Sequence, residues 1–188
     1  MYAWKLPTSL TIGEVDWQIR TDFRIIIDIL IAFENPDYDD MDKWLYCLMS
    51  MIEDFDSLPM ELYQEACQEC SKFIDLGQTE EQKKPSKKVM DWEQDAQLII
   101  PAVNKVVSKE IRSLDYLHWW TFMGYYMEIG DKCLYSQILN IRLKKSKGQK
   151  LEKWEQKFYQ ENKAMCDIKT KLSEEEMEEQ RLLDELFG

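Results

Sequence analysis

Apolar residues recur at the three- and four-residue spacing of an α-helix through almost the whole chain after residue 21. This spacing places apolar side chains on one face of each helix, and that face has to be buried against another element. Only residues 10–19 alternate apolar and polar side chains with the two-residue period of a strand, around Gly13. The sequence therefore predicts a mainly α fold, a multi-helix domain with a small N-terminal β-hairpin.

Turn and capping residues delimit the predicted helices of the first half. The first helix follows Thr21 or Asp22, either of which can act as its N-cap, and ends at Asn35-Pro36-Asp37. The second follows an acidic turn, 37–42, in which the acids offset the helix macrodipole. The third runs from about Pro59 to Leu76 and stops at Gly77. The second helix carries its apolar residues on one predicted face, with Met41, Trp44, Leu45, Leu48, Met49 and Ile52.

The second half contains an unusually aromatic helix. An amphipathic helix over about 92–107 precedes it, and Pro101 predicts a kink or a break there. Ser113 or Asp115 is the predicted cap of the aromatic helix, which carries Leu117, Trp119, Trp120, Phe122, Met123, Tyr125, Tyr126 and Met127 and includes His118. Because apolar rings occur on nearly every side, this helix is predicted to be central in the second half. Further helices are predicted around 134–141 and 151–158.

Charge and composition suggest a domain organisation. Residues 78–88 have no apolar side chain before the next helix and are the predicted linker between a hairpin-containing helical half, 1–77, and a second helical half, 89–172. An acidic tail, 173–188, follows with seven acids and one base. Residues 142–171 instead contain ten bases and four acids. These two stretches of opposite charge either neutralise one another or face separate partners.

The overall charge narrows the classes of partner. Thirty-six acids against twenty-four bases give a net charge of −12, which disfavours nucleic acid and anionic membranes as main partners. The longest apolar stretch, 25–33, is far too short to span a bilayer, and the chain begins with no secretory pattern. Five cysteines, an odd number, fit reduced thiols better than a disulfide framework. We therefore expect a soluble protein of the cytosol.

Catalytic and metal-binding patterns are not found in the sequence. One histidine, His118, cannot supply the usual metal cluster, and its position in an apolar helix favours a hydrogen-bonded core histidine over a partner contact. Cys67 and Cys70 form a C-x-x-C on an apolar helix face, without two further ligands for zinc. The acidic turn 37–42 lacks the spacing of a calcium loop. No glycine-rich phosphate loop occurs. The expectation is a protein without cofactor or metal, and not an enzyme.

Several strings resemble one family. They are Asp91-Trp92-Glu93-Gln94-Asp95 with Leu98-Ile99-Ile100, the segment Leu117-His118-Trp119-Trp120-Thr121-Phe122, and Ile138-Leu139-Asn140-Ile141-Arg142 followed by Lys144 and Lys145. Together with Thr21-Asp22-Phe23-Arg24 and residues 155–162 they resemble the bacteriophage gp-fifteen family of tailed phages and prophages. The resemblance implies a gene in the tail module, close to the tape-measure gene, where tail-assembly chaperones are usually encoded. It implies no catalytic residue.

Two functional hypotheses follow from the resemblance. The first is a chaperone-like binder of the phage tape-measure protein, or of another tail protein, in the host bacterial cytoplasm. The alternative is a structural tail component or a host-directed regulatory binding protein. The oligomeric state is left open. The candidate partner-binding residues lie in the aromatic helix, the basic stretch and the tail, and are His118, Trp119, Trp120, Arg142, Lys144, Lys145, Leu182, Leu183, Leu186 and Phe187. The tail is expected to be mobile until it meets a basic apolar surface; the alternative is that it only keeps the protein soluble.

Overall fold

The computed structural model describes residues 4–78 and 88–187, apart from the side chains of Gln180, Asp184, Leu186 and Phe187. The chain divides into two compact units. The first unit is Met1–Gly77 with Thr170–Gly188, and the second is Gln78–Lys169. The predicted fold class, mainly α with an N-terminal hairpin, is confirmed.

The first unit begins with the predicted hairpin. Strand β1, Ser9–Ile12, pairs antiparallel with β2, Val15–Gln18, in the register that places Ile12 opposite Val15. The two turn residues, Gly13 and Glu14, both have positive φ, at 57° and 63°. Positive φ at both positions is typical of the two-residue hairpin turn whose twist matches that of the flanking strands. A Cβ at Gly13 would lie 2.7 Å from Leu62 Cδ1. Glycine at this position therefore allows both the positive φ of the turn and the close approach of the Leu62 side chain.

Two helices follow and pack together. Helix α1, Phe23–Phe33, is capped by Asp22, which accepts a hydrogen bond from the Arg24 amide. Helix α2, Asp40–Met51, is capped by Asp39, so both predicted capping sites are confirmed. The Arg20 guanidinium donates hydrogen bonds to four backbone carbonyls at and just after the C-terminal end of α2, those of Met49, Ser50, Ile52 and Glu53. The C-terminal end of α2 is thus fixed to the chain that follows the hairpin.

The third helix is shorter than predicted. Pro59 precedes a single 3₁₀ turn, Met60–Leu62, and α3 runs over Tyr63–Ile74. Leu76 and Gly77 adopt positive φ, and the Gly77 amide donates to the Lys72 carbonyl, which closes the helix with an αL cap. The core of this unit is lined by buried side chains of β1, the three helices and the segments between them, with Ile12, Ile19, Phe23, Ile26, Ile29, Leu48, Met51, Ile52, Leu58, Ala66, Cys70 and Phe73.

The second unit contains five helices among its described residues. They are α4, Ala96–Val107; α5, Trp119–Met127; α6, Leu134–Ser146; α7, Lys153–Glu161; and α8, Lys163–Cys166. A kink or a break was predicted at Pro101, and the break is wrong, because α4 continues through that residue. Pro101 lies on the exposed face of the helix, where water can satisfy the carbonyl that loses its donor.

Aromatic rings fill much of the core of the second unit. Trp92 lies in the turn before α4, and its ring contacts those of Trp119, Phe122 and Tyr126 at centroid distances of 5.9, 6.3 and 5.5 Å. The Tyr126 and Tyr135 hydroxyls are 2.6 Å apart, which joins α5 to α6. The predicted central position of the aromatic helix in its half thus matches the packing.

The acidic tail folds as a helix. Helix α9 spans Glu174–Phe187 and begins with a capping box, in which Ser173 Oγ accepts from the Glu176 amide while Glu176 Oε2 accepts from the Ser173 amide. The Glu174 amide also donates to Asp37 Oδ1, at 2.8 Å. This bond ties the start of α9 to the turn between α1 and α2.

The predicted division into 1–77, 78–88, 89–172 and 173–188 stays a prediction. Residues 79–87 of the linker lie outside the described residues.

Candidate partner-binding surface

The His118-Trp119-Trp120 segment lies at the start of α5. Capping by Ser113 or Asp115 was predicted and is wrong, because His118 is the N-cap and its Nδ1 accepts a hydrogen bond from the Trp120 amide at 3.0 Å. His118 is 3% exposed and Trp119 is 2% exposed, whereas Trp120 is half-buried. The first two side chains therefore pack inside the unit. Their predicted role in partner binding stays a prediction.

Arg142 is buried in an ion pair. Its guanidinium meets both carboxylate oxygens of Asp95, at 2.6 and 2.9 Å, and also donates to the carbonyls of Val89, Met165 and Cys166. The side chains of Arg142 and Asp95 are 4% and 1% exposed. Such fork-to-fork pairing with backbone acceptors satisfies the buried charge without any partner protein.

The two neighbouring lysines are also paired. Lys144 Nζ lies 2.6 Å from Glu155 Oε1, and Lys145 Nζ lies 2.7 Å from Asp167 Oδ1 and 3.8 Å from the centre of the Tyr159 ring. The Lys144 hydrogen bond holds the pKa of Glu155 below its ordinary value, and that of Lys145 does the same for Asp167. The basic stretch is thus partly neutralised inside the second unit.

The thiols of the C-x-x-C pattern are kept protonated. A hydrogen bond with the Cys47 thiol, together with burial, raises the pKa of Cys70, and burial raises the pKa of Cys67 to about 11. Among residues 4–78 and 88–187, no three His, Cys, Asp or Glu side chains are grouped as metal ligands would be.

The C-terminal helix exposes apolar side chains. Leu182 and Leu183, both predicted binding residues, are about half exposed, as is Met177. The side chains of Leu186 and Phe187 lie outside the described part of the chain. The acidic side chains in the first turn of α9 are exposed, and their negative charge interacts favourably with the positive end of the helix macrodipole.

Apolar side chains are also exposed on α2. The sequence prediction of the inner face of that helix was wrong for three residues. Met41, Leu45 and Met49 were predicted to be inside, yet they are 78%, 39% and 54% exposed. The buried face contains Leu48, as predicted, together with Cys47 and Met51, and Trp44 packs edge-on against Phe33. Helix α2 has apolar residues on two faces, although packing against one side requires only one apolar face. The second apolar face was the sequence signal that could have indicated an exposed apolar surface.

The two units differ strongly in charge. Residues 1–77 contain sixteen acids and five bases, and residues 170–188 add seven acids and two bases. The first unit therefore has a net charge of −16. Residues 78–169 contain thirteen acids and seventeen bases, a net charge of +4. The exposed apolar residues of α2 thus lie on the acidic unit, where long-range attraction favours a basic partner.

The fold defines a mainly α protein with a small N-terminal hairpin, and no helix among its described residues is both long and apolar enough to cross a membrane. The chain belongs to the bacteriophage Gp15 protein family, whose model matches residues 4–168. The resemblance found in the sequence is thereby confirmed, and α9 lies beyond the matched residues. No curated protein and no solved structure matches the chain.

Proposed function

We propose that this protein is a tail-assembly protein of a phage or prophage, and that it binds the tape-measure protein in a chaperone-like way during tail morphogenesis in the host cytoplasm. Membership of the bacteriophage Gp15 family supports the phage context. The position of such genes in the tail module, which the resemblance implies, supports the choice of client. The proposed role is binding and involves no catalytic step.

One observation carries the proposal, the apolar stripe of Met41, Leu45 and Met49 exposed on the acidic unit. A long, helical, apolar-rich client has to be kept from aggregating until tube protein surrounds it. An exposed apolar helix face can bind the apolar face of a client helix. Methionine side chains adapt to partners of different shape, which suits a client with many similar helical segments.

The net charge supports the same role. A protein with a net charge of −12 keeps itself and a bound client dispersed through mutual repulsion. The same charge opposes binding to the phosphates of nucleic acids. The surface thus favours a protein client with basic segments.

Sedimentation of the tape-measure protein tests the proposal. The tape-measure protein of the same phage is expressed alone and together with this protein, and its soluble fraction is compared. We expect co-expression to move the tape-measure protein into the supernatant in a complex with this protein. An equal soluble fraction in both cases would overturn the proposal.

Mass spectrometry of purified virions separates the proposed role from a structural one. A chaperone leaves before the tail is complete, so we expect peptides of this protein to be absent from finished particles. Stoichiometric recovery in the virion would favour the structural-component alternative. Recovery with a host protein and not with the tape-measure protein would favour the regulatory alternative.

A further inference from the structure

We propose that the outer face of α2, with the groove beside it, is the binding site for a basic amphipathic helix. This inference rests on the proposed function, since the helix would be a segment of the client. It adds the location of the site and the chemistry of the segment. The binding face is defined by Met41, Leu45 and Met49 and is called the α2 stripe.

The geometry of the α2 stripe suits a helix. Its residues are spaced at i, i+4 and i+8, so their side chains form one row along α2 about 12 Å long. Tyr46, which follows Leu45 on α2 and is 39% exposed, adds apolar area beside the row. A partner helix with apolar residues at i, i+3, i+4 and i+7 presents a row of similar length.

A groove continues the surface. It has a volume of about 310 Å³ and lies between α1 and α2, lined by Arg20, Ile25, Asp28, Tyr46, Met49 and Ser50. Arg20 is held by its hydrogen bonds to the carbonyls at the end of α2, so that wall is fixed before any partner binds. Met49 belongs to both the α2 stripe and the groove. A side chain anchored in the groove would therefore contact the stripe as well.

Charge selects a basic occupant. Asp39 caps α2, Asp40 and Asp42 lie in its first turn with Met41, and Asp28 lines the groove. From Arg20, which lines the groove, to residue 71 the sequence contains thirteen acids and three bases. Partial burial raises the pKa of Asp28, and a partner cation beside that carboxylate would stabilise its charged form. An acidic helix, such as α9 of a second copy, is disfavoured by the same charges.

Peptide binding to matched variants tests the site. The probe is a fluorescent peptide of about 18 residues, five turns, with leucines along one face and lysines elsewhere. The site variant is Met41→Gln, Leu45→Gln and Met49→Gln together. The control variant is Met60→Gln, Leu134→Gln and Met127→Gln, which removes the same residue types at 77%, 45% and 60% exposure away from the α2 stripe. Glutamine has a helix propensity close to that of leucine and methionine and leaves the charge unchanged.

We expect the site variant to raise the Kd of the lysine peptide about tenfold or more, as for the loss of a central apolar contact, and the control variant to change it less than twofold. The matched peptide with glutamate in place of lysine should bind neither protein. Equal effects of the two variants, unimpaired binding to the site variant, or no binding of the lysine peptide to the wild-type protein would overturn the inference. Circular dichroism and thermal unfolding of both variants verify that the fold is retained.

Co-expression with the full tape-measure protein separates this inference from the proposed function. If the wild-type protein and the site variant solubilise the client equally, the site is wrong and the proposed function stands. If the wild-type protein leaves the client insoluble, the proposed function fails, and the peptide measurement alone then decides whether the α2 stripe is a site for basic helices.

Discussion

Arg142 and Asp95 form a buried ion pair in the second unit. The basic residues Arg142, Lys144 and Lys145 lie close together in the sequence and were predicted as candidate partner-binding residues. Their partners lie 47, 11 and 22 residues away along the chain. Local patterns carry no information on contacts over such separations, so the pairing could not be predicted. The burial of Arg142 among backbone carbonyls is a result of tertiary structure alone.

Replacing Arg142 tests the structural role of this pair. Arg142→Met leaves the Asp95 carboxylate buried and uncompensated, which is expected to lower the free energy of unfolding by about 3–5 kcal/mol. The measurement is urea denaturation of the variant and the wild type. Lys153→Met, on an exposed residue of the same unit, is the control. A loss below about 1 kcal/mol, typical of surface ion pairs, would contradict the structural assignment.

Glu155 predicts a pH dependence of stability. Its carboxylate accepts hydrogen bonds from Lys144 and from the Glu152 amide, and these hold its pKa below the ordinary 4.5 in the folded protein. A group whose pKa is depressed on folding stabilises the protein above the unfolded-state pKa and loses this contribution as the pH falls through the folded-state value. The stability difference between wild type and Glu155→Gln should therefore shrink as the pH falls below 4.5. A constant difference from pH 6 to pH 3 would count against the pairing.

The sequence was most informative about the positions of individual helices and of the hairpin. Periodicity and capping residues located α1 and α2 and predicted the hairpin, because these depend on neighbouring residues. Two errors came from tertiary context. Solvent exposure allows α4 to continue through Pro101, and His118 replaces the oxygen-bearing caps that sequence preferences favour. The inner face of α2 was misassigned because both of its faces are apolar, and only packing decides which one is buried.

The cap of α5 can be tested by substitution. His118→Ala removes the acceptor of the Trp120 amide and is expected to cost about 0.5–2 kcal/mol of stability, to which the lost packing of the buried ring adds. His118→Asn keeps a good capping side chain and should recover part of the loss. Thermal denaturation of the three proteins gives the comparison. Equal loss in both variants would indicate that packing of the ring, and not the cap, matters at this position.

Deletion of α9 tests its contribution to binding. Removing residues 173–188 takes away seven acids and one base, together with the Glu174 bond to Asp37, and should leave the helices of both units intact. We expect weaker binding of the lysine peptide at low ionic strength and a smaller difference at high salt, where exposed charges are screened. Affinity that is unchanged by the deletion at low salt would instead support a purely solubilising tail.

The two units carry net charges of opposite sign. The sequence predicted a basic stretch and an acidic tail, and it did not reveal that the tail joins the acidic first unit. That association brings the net charge of the unit to −16 beside the exposed α2 stripe. The α2 stripe was not among the predicted binding residues, because its residues were assigned to the buried face of α2. An apolar surface on an acidic unit is the feature that most favours a basic helical client.

We propose that this protein binds the tape-measure protein before tails are assembled. Affinity purification of the tagged wild-type protein from induced cells, sampled before tails appear, tests it directly, with the captured proteins identified by mass spectrometry. We predict that the tape-measure protein is captured by the wild-type protein and by the Met60, Met127 and Leu134 glutamine variant, and is reduced with the Met41, Leu45 and Met49 variant. Absence of the tape-measure protein from the wild-type sample would contradict the account.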